Sequence, residues 1–245
     1  MIPHEPTRSL PSGRDEAPTR RDVLRSAALG FGSAGLVAAL AACGRSSGAA
    51  TATGDDNRAE NLGFYGTVLA EPLAKPTVVF TDTDGRAFDI ASRTRGRLAL
   101  LLFGYTSCPD VCPVHLSTLA ATLKRVDGAA ADTIVMFVGV DTARDTPRAI
   151  ADFVHGRDPQ FVGLTASPTD IDAALKELHL PSVVIGKPDS TGAYSVGHPS
   201  QILAFTPDDL CHIVYPFGTL QQQWATDLPK LLDYRWPAQR PAGAG

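Results

Sequence analysis

Two continuous apolar runs, Leu98 to Phe103 and Ile134 to Val140, constrain this chain more than any other feature. Each is too short for a capped helix and lacks polar alternation, so each predicts a strand buried on both faces. Such strands need helices above and below them. Between the runs Leu116, Leu119, Ala120 and Leu123 recur at helical spacing behind Pro113, which is expected at the first helical position. The unit predicted is strand, helix, strand, with the two strands adjacent, central and parallel.

The rest of the chain extends that unit. Val78 to Phe80 and Ala87 to Ile90 flank a turn containing Asp84 and Gly85, which predicts an opening hairpin. Thr146 before Pro147, and Ser167 before Pro168, mark the starts of two further helices, with a short strand, Phe161 to Leu164, between them. Strands are expected at Val183 to Ile185, Tyr194 to Val196, Gln201 to Thr206 and Ile213 to Tyr215, and a closing helix at Leu220 to Leu232. This order implies an α/β fold, a mixed sheet with helices on both faces and an N-terminal β-hairpin. The formal charge of −4, from 22 basic and 26 acidic residues, gives no broad attraction to phosphate backbones, so no nucleic-acid partner is expected.

The N-terminus has the layout of an address. Arg20 and Arg21 precede an apolar run from Ala27 to Ala42, shorter than the roughly 20 residues that span a bilayer comfortably and interrupted by glycine and serine. The paired arginines resemble the twin-arginine export signal, and Leu40, Ala41, Ala42 and Cys43 resemble the bacterial lipobox, whose cysteine receives a lipid. An uncleaved anchor helix is the alternative. Residues 1–42 are thus expected to be an export signal, residues 43–61 a flexible tether lipidated at Cys43, and residues 62–245 the folded domain on the extracytoplasmic face of the cell membrane. Disulfides persist in such a compartment, so free thiols there need a reason.

Cys108 and Cys112 follow the carboxyl end of the first buried strand and open a helix, where open α/β sheets place ligands. Both precede prolines, which predicts a constrained loop for both thiols and not a regular helical face. Their spacing lets the sulfurs converge, and the helix N-terminus is expected to favour thiolate over thiol. Two soft sulfurs suit Cu(I) or, with more ligands, Zn(II); a structural disulfide is the plainer alternative.

Three segments carry a resemblance. Phe103 to Pro113, Val140 to Pro147, and Tyr194 to His198 with the strand after it and Tyr215 to Gly218 are similar to the Sco (SenC) family of copper chaperones for cytochrome c oxidase. The resemblance implies a thioredoxin-like, peroxiredoxin-type fold with copper held by Cys108, Cys112 and His198. It further implies delivery to the copper-binding subunit of the oxidase and a thioredoxin-type thiol reductant to keep the cysteines reduced. Gly197 stands where the family usually has Asp, and Pro199 where Ser or Thr is common, so a carboxylate supporting His198 is missing or comes from elsewhere.

Asp110, Asp141 and Arg144 are supporting candidates around that centre, although Asp110 is equally well a turn former and an Asp–Arg pair often caps a loop. His115 is a conceivable substitute ligand but is more simply a solvated residue on the face shared with Thr118 and Thr122. Cys211 is expected to be a small buried hydrophobe, and His155, His179 and His212 structural. Two enzyme readings stand beside the chaperone: a thiol-disulfide oxidoreductase acting on cysteines of the oxidase subunit, and a thiol peroxidase.

Overall fold

A computed structural model of the chain describes residues 61–236. The expected export signal over residues 1–42, Cys43 and the tether as far as residue 60 lie outside the described residues. Asn61, assigned to the tether from the sequence, is buried at the start of the fold, where its side chain accepts from the Val68 amide (2.9 Å).

The elements run β1 (Thr67–Ala74), β2 (Val79–Asp82), β3 (Ala87–Asp89), α1 (Ile90–Arg93), β4 (Leu98–Gly104), α2 (Val111–Leu123), α3 (Ala129–Asp132) and β5 (Thr133–Gly139). They continue α4 (Pro147–His155), β6 (Val162–Thr165), α5 (Pro168–Glu177), β7 (Val184–Ile185), β8 (Val196–Gly197), β9 (Ile202–Phe205), β10 (Leu210–Tyr215) and α6 (Gln221–Asp233). Eight strands form one mixed sheet in the order β1, β10, β9, β4, β5, β6, β2, β3, while β7 and β8 pair with each other. As the apolar runs predict, β4 and β5 are parallel neighbours. β6 joins them in parallel, and the outer strands pair antiparallel.

The two-residue period of a strand explains the runs. Leu98, Leu100 and Leu102 of β4 pack towards Leu116 and Leu119 of α2, Ile150 of α4 and Trp224 of α6. Ala99, Leu101 and Phe103 point the other way, into a second cluster with Ile171 and Leu175 of α5. Every residue of β4 is buried. Full burial of each large apolar side chain contributes about 1.5–3 kcal/mol, so neither face tolerates a polar residue.

Three expectations change. The hairpin of β2 and β3 does not open the domain: β1 precedes it and pairs antiparallel with β10. Pro72 and a register shift between Val68 and Leu73 suit β1 to a sheet edge and hide its strand pattern in the sequence. The residues expected as strands around Ile185 and Val196 form a separate two-stranded ribbon. Pro113 is the third residue of α2, because Asp110 caps the helix and starts it earlier; a first-turn amide has no intrahelical partner to lose, so proline is tolerated there.

Where β4 and β5 end, Gly104 lies in register with Gly139. A Cβ on Gly104 would stand 2.6 Å from the Cys112 sulfur and 2.7 Å from the Phe137 ring, and one on Gly139 would stand 2.9 Å from the Cβ of Asp145. The two glycines clear adjacent spaces for a thiol and a carboxylate. Gly104→Ala should therefore lower stability by about 1–3 kcal/mol through overpacking, measured by denaturant unfolding of the reduced protein. An unchanged midpoint would mean that Cys112 moves aside at no cost.

Candidate metal centre

From Gly104 the chain turns through Tyr105 to Asp110 into α2. The Cys108 amide donates to the Tyr105 carbonyl (3.1 Å), bending the loop so that the Cys108 sulfur sits over the helix start. There it accepts from the Cys112 amide (3.5 Å). Cys108 is in the loop as expected, but Cys112 is on the helix, its second residue, because the Asp110 carboxylate accepting from the Val111 amide (2.6 Å) begins the helix ahead of it. Both cysteines are buried free thiols.

His198 reaches them from the loop after β8. Its Nδ1–H donates to the Pro199 carbonyl (2.8 Å); a carbonyl can only accept, so Nδ1 bears a proton, and of the two neutral tautomers this bond selects the one that leaves the lone pair on Nε2. That Nε2 lies 4.0 Å from the Cys112 sulfur. The ring is also held edge-on to Tyr105, with centroids 5.4 Å apart. The ligand atoms of Cys108, Cys112 and His198 all lie within 4.8 Å of one another. A carboxylate at position 197 is not needed to orient the imidazole, since a backbone carbonyl is an ordinary partner for the second nitrogen of a metal-binding histidine.

The expected thiolate bias does not hold at Cys112. Burial pushes its thiol well up, and the neighbouring Cys108 and Asp145 add to this, against a lowering by the Tyr105 amide. The helix N-terminus is outweighed because an anion loses more by leaving water than a partial charge returns.

Asp110 is spent on the helix cap and does not join the sulfur pair. Asp141 and Arg144 form an ion pair with each other, and Asp141 accepts from the Tyr194 hydroxyl (2.9 Å) while the Arg144 guanidinium lies over the Tyr194 ring at 3.8 Å. They therefore hold the strand approach to His198. The group that holds the cysteine loop is Asp145, which sequence reasoning passed over in favour of its neighbours. One of its oxygens accepts from the Thr106 amide (2.9 Å) and hydroxyl (2.7 Å), the other from the Asp141 amide (3.0 Å). Its place in the Val140 to Pro147 segment was the available signal.

His115 is neither solvated nor in the ligand cluster. It is 3% exposed, because Phe217 packs against its ring, and its Nε2–H donates to the Ser200 carbonyl (2.9 Å). Burial, with His198 nearby, pulls its pKa down against the opposing bond to Ser200. Cys211 is buried in the core as expected, and His212 donates to the Asp208 carboxylate (2.7 Å).

A dithiol and an imidazole converging at the carboxyl edge of a helix-flanked mixed sheet define a thioredoxin-like protein with a cluster of three donors that could hold a metal. The model of the SCO1/SenC family matches residues 71–233, and the chain belongs to that family. It is similar to the copper-bound ScoI of Bradyrhizobium japonicum, at 27% identity and a TM-score of 0.57 over 65% of this chain and 99% of that one. It is likewise similar to the apo Sco1 protein of Thermus thermophilus, at 27% identity and a TM-score of 0.59 over 69% and 97%. Protein SenC of Rhodobacter capsulatus is 41% identical over 78 residues, 32% of this chain and 35% of SenC. The match to the SCO2-like protein of Rickettsia typhi spans 58% of that protein, so these curated relatives are matched over part of their length.

Asp145→Ala should cost about 1–3 kcal/mol, since it leaves three donors around the cysteine loop without an acceptor. Burial raises the Asp145 carboxyl above its ordinary value, with the Thr106 and Asp141 bonds opposing. Between the ordinary and the raised value the native state keeps a proton that the unfolded chain has lost, so this site's contribution to stability falls as pH rises through that window. Denaturant midpoints measured against pH should show that slope, and Asp145→Asn should remove it.

Proposed function

We propose that this protein binds a copper ion as cargo through Cys108, Cys112 and His198 and delivers it to the copper-binding subunit of cytochrome c oxidase during assembly. The observation that carries this reading is the convergence of two thiols and one imidazole nitrogen within 4.8 Å. Two soft sulfurs and a nitrogen suit Cu(I), and three donors leave room for an incoming ligand during transfer. The thiols give up protons on binding, and the cation supplies the charge that makes their buried anions tolerable. Kinship supports the choice of metal, since the similar ScoI structure from Bradyrhizobium japonicum is described as copper-bound.

The remaining assignments belong to the same proposal. Residues 1–42 act as an export signal, residues 43–60 as a tether lipidated at Cys43, and the folded domain works at the extracytoplasmic face of the membrane, supplied with electrons by a thioredoxin-type thiol reductant. Among the described residues no helix is long and apolar enough to cross a membrane. Disulfide exchange as the main activity needs an accessible attacking thiol, whereas Cys108 is 8% exposed and Cys112 fully buried.

Anaerobic Cu(I) titration of the reduced chain should give one copper per chain. Cys108→Ala, Cys112→Ala and His198→Ala should each weaken binding by more than the roughly 10–100-fold that follows loss of an outer partner. Parent-like affinity in His198→Ala, together with rapid dithiol turnover, would overturn the chaperone reading in favour of the oxidoreductase.

A further inference from the structure

His198 stands on residues 198–201, which belong to no helix or strand, after a strand of two residues. Its bond to the Pro199 carbonyl orients the ring against its own backbone but does not locate that backbone relative to the sulfurs. The link to the sulfur-bearing helix comes two residues further on, where His115 of α2 donates from Nε2 to the Ser200 carbonyl (2.9 Å). Cys112 and His115 are three residues apart on α2, so they share a face of one rigid element. The helix that carries a sulfur thus also grips the loop that carries the imidazole.

The imidazole at 115 is not explained as core filling. An apolar side chain would fill the space under Phe217 without the cost of burying a polar ring, a cost that the bond to Ser200 offsets. Nor is it a ligand, for its nitrogens fall outside the set formed by Cys108, Cys112 and His198. We infer that His115 is a positioning residue of the metal centre, clamping the loop of His198 to α2 through the Ser200 carbonyl so that Nε2 of His198 is held beside the two sulfurs. The inference rests on the copper-binding reading above.

The test uses the full reduced chain, with Cu(I) affinity by competition with a chromophoric chelator and amide hydrogen exchange of the metal-free protein. His115→Phe fills the site without a donor, His115→Asn carries a donor too short to reach, and His115→Gln places an amide nitrogen within reach of the carbonyl. His115→Phe and His115→Asn should each lose affinity roughly 10–100-fold and speed exchange at Ser200 and Gln201, while His115→Gln stays close to the parent in both. In the double variant with His198→Ala, His115→Phe should add no further loss. If His115→Phe does not fold, the split between Asn and Gln decides.

Parent-like affinity and exchange in the Asn variant overturn the inference, as does a Gln variant no better than Asn. If His198→Ala itself binds copper like the parent, the copper reading fails and takes this inference with it. Loss in His198→Ala without loss in His115→Asn overturns the clamp alone.

Discussion

The in-register pairing of β4 with β5 is the constraint on which the centre depends. Parallel strands buried on both faces have one alignment that satisfies both layers of side chains, because a slip of one residue would exchange every inward and outward contact. That alignment ends the two strands together at Gly104 and Gly139. The missing side chains there admit the Cys112 sulfur on one strand and the Asp145 side chain on the next. Sheet register therefore sets the distance between the cysteine loop and the carboxylate that braces it.

Around that point the polar groups divide the work. Asp145 holds the cysteine loop through Thr106, and Asp141 with Arg144 holds the approach to His198 through Tyr194. The Pro199 carbonyl chooses the tautomer of the imidazole. None of these groups needs to touch a metal to matter, since each restricts where a donor atom stands. The cost falls on the thiols: burial that excludes water from the site also makes an uncompensated thiolate unfavourable at Cys112. A soft cation relieves that conflict, consistent with the proposed cargo.

Much of this was legible in the residue order. The apolar runs gave β4 and β5, the prolines behind Thr146 and Ser167 gave the starts of α4 and α5, and the segments around Cys108 and His198 gave the members of the donor cluster. The sequence was silent where local pattern and final environment part. β1 is an edge strand whose Pro72 and irregular register break its alternation, so its place beside β10 is a tertiary fact. His115 looked solvated because its helical neighbours are Thr118 and Thr122, yet Thr122 is fully buried as well. α6 packs across α2 and Phe217 covers the ring of His115, closing a face that polarity alone would assign to water.

What the sequence determined by itself was local: which segments are strands or helices, where caps begin them, and which residue types carry chemistry, since these follow from side-chain periodicity and backbone preference over a few neighbours. The tertiary structure decided the rest. It brought position 198 to positions 108 and 112, replaced an absent carboxylate with a carbonyl, kept the Cys112 proton in place against the helix dipole, and assigned the brace to Asp145. Those outcomes depend on desolvation and on distances between chain segments far apart in sequence, and neither quantity exists until the sheet has closed over its core.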